Sequence, residues 1–279
     1  MLFSEILGQA HIKSHLTTSA GSGRIPHAQL FIGPEGSGTL PMAIAYAQYI
    51  LCANASDENT DGNEACNLKF RNLSHPDLHF VFPVATNSEV KSHPTSANFL
   101  KPWREFVEET PYGSLFDWYN KIDIQNKQGQ IGVDEALEIV KSLSLKAYEG
   151  GYKVMIIWMA DKMNIATSNK LLKLLEEPPA KTVFILIAES EDDILQTILS
   201  RCQILHFGGL GEKVIVDALV SKENIDDKVA LKIAHQAQGN YNKALHLLHK
   251  DDTAPPFEEW FVQWVRAAFR AKGNAAAIH

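Results

Sequence analysis

The chain has 279 residues, 45% hydrophobic and 21% charged, with a net charge of −7 and three cysteines. That is the composition of a globular chain long enough for one large domain or two to three smaller ones. It argues against a broad basic surface for gripping DNA. An odd cysteine count speaks against a disulfide scaffold and rules out a four-cysteine zinc site within the chain.

No apolar run approaches the ~18 residues of a membrane-spanning helix, and "MLFSEILGQAHIKSHL" mixes charge and apolar residues from the start, unlike a signal peptide. A cytoplasmic location without membrane partners is the expectation. Residues 1–24 read as one amphipathic helix after a short lead, burying Ile6, Leu7, Ile12 and Leu16. "HAQLFIG" (27–33) is an apolar run closed by glycine, hence a buried strand. "TLPMAIAYAQYILCA" (39–53) follows as a helix that tolerates Pro41 only because it lies in the first turn. The polar stretch 54–74 reads as an exposed excursion and "HPDLHFVFPV" (75–84) as a strand. Residues 85–121 read as an insertion with some helix. Beyond it, "VDEALEIVKSLSLKAY" (133–148) is an amphipathic helix and "KVMIIWMA" (153–160) a buried strand. "NIATSNKLLKLLEE" (164–177) is a helix stopped by Pro178–Pro179, and "TVFILIAE" (182–189) and "ILHF" (204–207) are strands.

Strands alternating with helices imply an α/β fold, a parallel sheet with helices on both faces. Three short helical patterns then make a small helical domain, and another helix opens after Pro255–Pro256. The expected division is an α/β domain over 1–207, a helical lid over 208–250, and over 251–279 the start of a third helical domain cut short. Trp260, Trp264 and Phe269 in that last segment read as core or subunit-interface residues rather than a base-stacking surface.

Between the first strand and its helix, "GPEGSGTL" (33–40) has the glycine spacing of a phosphate loop, in the strand–loop–helix context that such a loop requires. Gly33, Gly36 and Gly38 are present, but Thr39 stands where Lys would reach the phosphates and Leu40 where a hydroxyl would hold Mg²⁺. Many phosphate-loop ATPases end a second strand in Asp-Glu, for the metal and for activating water. Here "KVMIIWMADKMN" has Trp158 and Met159 at those places, with Asp161 two residues too late. Neither can do metal or acid–base chemistry. His75, Asp77 and His79 alternate as strand ligands of a metal would, but a strand-initiating turn accounts for them, and no metal is expected.

"KVMIIWMADKMNIATSNKLLKLLEEPPAKTVFILIA" followed by "ILQTILSRCQILHF" resembles the AAA+ ATPase domains of bacterial clamp loaders. The resemblance extends to "LGQAHIKSHL", "IPHAQLFIGPEGSG" and "HPDLHFVF", and so covers residues 1 to about 250 except 85–121. It implies an AAA+ phosphate-loop-type sheet and, given the degraded loop, the non-hydrolysing subunit of the DNA polymerase III loader, with no cofactor of its own. "LSRCQ" (199–203) resembles the family's Ser-Arg-Cys motif, which implies that Arg201 reaches across a subunit boundary to a neighbour's ATP while Ser200 and Cys202 shape its turn. The implied partners are motor (tau/gamma) subunits and a delta subunit and, through the complex, the sliding clamp and primed DNA. Two departures stand out: of a four-cysteine zinc module only Cys52 and Cys66 remain, and "GNYNKAL" has Asn242 where the lid often carries arginine. An ATP-hydrolysing motor subunit or remodeller is the alternative, and a stand-alone DNA-binding protein on the same fold is a third reading.

Overall fold

The computed structural model describes residues 1–52, 64–148 and 151–249, together with Phe261, Trp264 and Val265. The chain divides into a large unit, Met1–Ala244, and a small one, Leu245–His279. In the small unit Phe261 and Trp264 stack with centroids 6.3 Å apart. Trp264 is 56% exposed. Trp260, Phe269 and most of the expected third domain lie outside the described residues.

The large unit is built on five strands: β1 (Ala28–Ile32), β2 (Leu78–Val81), β3 (Lys153–Ile157), β4 (Thr182–Ala188) and β5 (Gln203–His206). All pairs are parallel, in the order β2-β3-β4-β1-β5. The inner strands β1, β3 and β4 are buried throughout, as a sheet covered on both faces requires. Their residues alternate between two cores: Phe31, Ile156 and Ile185 face one, Leu30, Met155 and Leu186 the other. Lys153 stays buried at the start of β3 because its Nζ donates to the carbonyls of Leu143 and Leu145.

Helix α1 (Ala10–Gly21) follows a short 3-10 turn and buries Ile12 and Leu16, while Ile6 is buried ahead of it. Helix α2 (Thr39–Cys52) carries Pro41 in its first turn. The polar excursion contains a helix the sequence reading left out, α3 (Glu64–Arg71). A disulfide joins Cys52 to Cys66 across the packed α2 and α3, with Cα atoms 5.5 Å apart. The cysteine count alone pointed away from such a bridge, because pairing depends on where two helices meet and not on number.

Residues 85–121 hold two helices, α4 (Leu100–Glu109) and α5 (Leu115–Lys121). They bring aromatic rings onto the sheet. Trp103 is fully buried, stacked on Phe82 with centroids 4.1 Å apart and within 5.2 Å of both Trp118 and Trp158. Trp118 donates its indole N–H to the Pro83 carbonyl at 2.8 Å, satisfying the polar edge of a buried ring. Ser96 ties the same segment to β2, exchanging hydrogen bonds with the Phe82 backbone.

The other face is covered by α6 (Val133–Ser144) and α7 (Ile165–Glu176), the latter capped by Asn164 accepting from the Thr167 amide. A four-residue helix, α8 (Gln196–Leu199), precedes β5 and was too short for a periodicity to register. After the sheet come α9 (Glu212–Glu223), α10 (Asp227–Ala237) and α11 (Tyr241–Leu248). Among the described residues no helix is long and apolar enough to cross a membrane.

Glu135 of α6 is buried and accepts the Ser96 amide at 2.6 Å. Burial pushes its carboxyl up to about 7. A carboxyl whose folded pKa is raised contributes stability in full below its unfolded pKa, and that contribution is lost as pH rises through the folded value. Urea titrations should therefore show the stability of wild type relative to Glu135→Gln falling by on the order of 1–3 kcal/mol between about pH 5 and about pH 8. A pH-independent difference would mean that Glu135 titrates like an exposed carboxylate.

Candidate functional site

The glycine loop leaves β1 and enters α2 with Gly36 and Gly38 at φ of +70° and +92°, backbone that side-chain-bearing residues rarely adopt. Three other segments converge on it. The α10–α11 turn is so close that a Cβ on Gly36 would lie 2.0 Å from Asn240 Oδ1. Phe207, after β5, would meet a Cβ on Gly33 at 2.6 Å, and the Tyr112 ring would meet one on Gly38 at 3.0 Å. The Tyr241 amide donates to the Gly36 carbonyl, and Gln9 Nε2 donates to the carbonyls of Ser37 and Gly208 at 3.1 and 2.7 Å.

Gly33, Gly36, Gly38, Thr39 and Leu40 all line the cavity over the loop, with Tyr112, Trp158, Met159 and Glu189. Its volume is about 20 Å³, room for roughly one water and far below the ~300 Å³ at which small-molecule pockets begin. The Tyr112 ring closes over Gly38 at one side. Its hydroxyl accepts the Leu7 amide at 2.8 Å and its ring meets Tyr241 edge-on at 5.1 Å. Burial pushes both phenols up to about 12, so each stays neutral.

Four positions where the sequence had lost a nucleotide-handling group, Leu40, Trp158, Met159 and Asn242, are used for packing or hydrogen bonding. Leu40 is 3% exposed. Trp158 has turned its ring into the aromatic cluster of the insertion, against Trp103 and Phe106. Met159 holds a left-handed φ of 54° at the end of β3. Asn242 donates to Glu35 Oε1 at 3.3 Å and to Asp117 Oδ2 at 2.8 Å, and Asn240 donates to the same Glu35 oxygen at 3.0 Å.

The surroundings repel anions. Beside the loop a groove of about 340 Å³ is lined by the carboxylates of Glu35, Asp161 and Glu189, with Lys162 as its cation. Lys162 is paired with Asp161 at 2.6 Å. Burial first, then the charges of Asp161 and Glu35, hold the Glu189 carboxyl above the usual carboxylate range. A phosphate here would meet like charge instead of the missing Lys.

The Ser-Arg-Cys turn stands apart from this cavity, and none of its three residues lines it. Arg201 follows α8 and keeps a partly exposed side chain. Its Nη2 donates to Glu176 Oε1 at 2.6 Å, and its Nη1 donates to the Thr197 carbonyl at 2.8 Å and to Ser200 Oγ at 3.2 Å. Ser200 thus touches the arginine it was expected to shape. Cys202 is pushed up to about 11 by burial, so it is a packed thiol and no thiolate nucleophile.

His75 and Asp77 are buried and engaged in the turn before β2: the Asp77 amide donates to His75 Nδ1, and Asp77 Oδ1 accepts the Tyr148 amide. Sequence reasoning missed Tyr112, Tyr241 and Glu176. Glu176 lay in a quoted motif, "LLKLLEEPP", without a role; Tyr112 carried no local signal at all.

The parallel sheet, the glycine loop and the helices on both faces make an α/β fold of the AAA+ type. The fold matches the Thermotoga maritima RuvB Holliday junction branch migration motor, with a TM-score of 0.51 and 15% identity over 88% of this chain and 62% of that one. Within the class, the model of the family described as DNA polymerase III, delta subunit, matches residues 8–210, and the chain belongs to that family. DNA polymerase III subunit delta' of Bacillus subtilis is 28% identical over 88% of this chain, and that of Haemophilus influenzae 27% over 80%. The chain spans 61% and 55% of the length of those two relatives. The B. subtilis subunit tau is 29% identical over 88% of this chain and 37% of its own, so identity by itself does not separate the delta' and tau types.

The tight loop gives a direct test. Gly36→Ala would strain a left-handed backbone and collide with Asn240, and should cost about 1–3 kcal/mol in urea unfolding. At Gly208, where a Cβ meets nothing within 4 Å, the same change should stay within about 1 kcal/mol. Equal effects at the two positions would contradict the packing described for the loop.

Proposed function

We propose that this chain is the delta-prime-type, non-hydrolysing subunit of a bacterial DNA polymerase III clamp loader, acting in the cytoplasm. It stands beside tau/gamma motor subunits and a delta subunit, and the complex places the sliding clamp on primed DNA. Residues 208–250 act as its lid. The observation that supports this reading is the loop itself: the cavity over it, lined by Tyr112 and Leu40, has a volume of only about 20 Å³, and Trp158 packs its ring away against Trp103 and Phe106.

Arg201 is the group we assign to chemistry in the complex. Its guanidinium is planar, permanently charged and forked, and it matches phosphate oxygens that gain charge as a neighbour's ATP is cleaved. An arginine supplied in trans contributes on the order of 10³–10⁵ in rate. The motor-subunit alternative draws on the similar identity to tau, and it requires a nucleotide to displace Tyr112.

Two measurements decide the matter. The isolated chain should show no Mg²⁺-dependent ATP binding in the micromolar range by calorimetry; such binding would favour the motor reading. In a loader reconstituted with the same organism's tau/gamma and delta subunits, Arg201→Ala should cut DNA-stimulated ATP turnover at the adjoining site by on the order of 10³. Its melting temperature should barely change, because exposed ion pairs are worth about 1 kcal/mol or less. Unchanged turnover would remove the trans-arginine role.

A further inference from the structure

The two sequence stretches most diagnostic of the family, "LLKLLEEPP" and "LSRCQ", meet in the contact between Glu176 and Arg201. From this geometry we infer that Glu176 is a positioning residue: it fixes the plane of the Arg201 guanidinium so that its remaining donors face outward. The inference rests on Arg201 acting on a neighbour's phosphate.

Stability does not explain the pair. Both side chains are partly exposed, 33% for Arg201 and 49% for Glu176, and such a bridge is worth about 1 kcal/mol or less. Glu176 is the last residue of α7, where a carboxylate faces the negative end of the helix dipole at a cost of about 0.3–1 kcal/mol. A Lys or Arg would suit that position better on its own account.

What the arrangement provides is direction. A free arginine side chain carries about 2 kcal/mol of rotamer entropy, which a phosphate contact would have to overcome in the transition state. Here the guanidinium is held from two elements, by Glu176 on α7 and by Thr197 and Ser200 around α8. Three of its five N–H groups are engaged. Two remain, Nε–H and one on Nη2, the number that a bidentate contact with a phosphate uses. The Glu177 amide closes α7 onto the Lys173 carbonyl, and Pro178–Pro179 follow at once. Glu176 therefore stands on backbone that is itself fixed.

The experiment has two arms. In the isolated chain, NMR of arginine side chains should show two distinct Nη signals for Arg201 in wild type, reporting hindered rotation, and coalescence in Glu176→Gln. In the reconstituted loader, Glu176→Gln should lower the maximal ATP turnover about ten- to hundredfold with KM for ATP changed less than about twofold. Glu176→Asp, which keeps the charge, should recover part of the loss. Coalesced Nη signals in wild type, or full turnover in Glu176→Gln where Arg201→Ala is impaired, would overturn the positioning role and leave the trans arginine standing. Faster turnover in Glu176→Gln would overturn it too, since Glu176 would then be restraining Arg201. If Arg201→Ala itself keeps full turnover, the trans-arginine reading falls, and the NMR arm still reports whether Glu176 orders the side chain.

Discussion

Three glycines without side chains let three distant parts of the chain touch one turn. Asn240 and Tyr241 come to Gly36, Phe207 to Gly33, and Tyr112 to Gly38, each at a distance that a Cβ would obstruct. In a protein that binds nucleotide through such a loop, the close approach is reserved for phosphate. Here protein groups make it, so the loop has become a junction joining the sheet, the insertion and the helices after the sheet. The positions of Tyr112, Glu35 and Asn242 all follow from that junction.

The aromatic cluster shows how the exchange was accommodated. At position 158 the indole packs with Trp103 and Phe106, which the insertion supplies. Residues 85–121 are thus tied structurally to the change at the site: they bring the rings that receive Trp158 and, through Tyr112, the plug over Gly38. The exposed Arg201 is held in a different way, by hydrogen bonds instead of burial, and it keeps donors free.

Much of the fold was legible because the inner strands are continuous apolar runs and the main helices have clear periods and stops. "HAQLFIG", "KVMII" and "TVFILIA" could be little else, and Pro178–Pro179 marked the end of α7. The missed elements were those with little local pattern: α8 is four residues long, and α3 sits in a polar stretch. At the site, the absence of Lys, hydroxyl and Asp-Glu was readable residue by residue. What replaced them was not, because Tyr112 meets Leu7 across 105 positions and Asn242 meets Glu35 across 207. Pairings of that range are set by tertiary packing; the Cys52–Cys66 bridge, only 14 residues apart, escaped because it needs α3, which the polar stretch did not announce.

The buried indole also sets what an acidic side chain at the same position would meet. Restoring an acidic residue at position 158 would place an unpaired carboxylate among Trp103 and Phe106, a burden of several kcal/mol before any metal arrived. A lysine at position 39 would still have the Tyr112 ring close over Gly38. Neither substitution removes the packing that the other position meets.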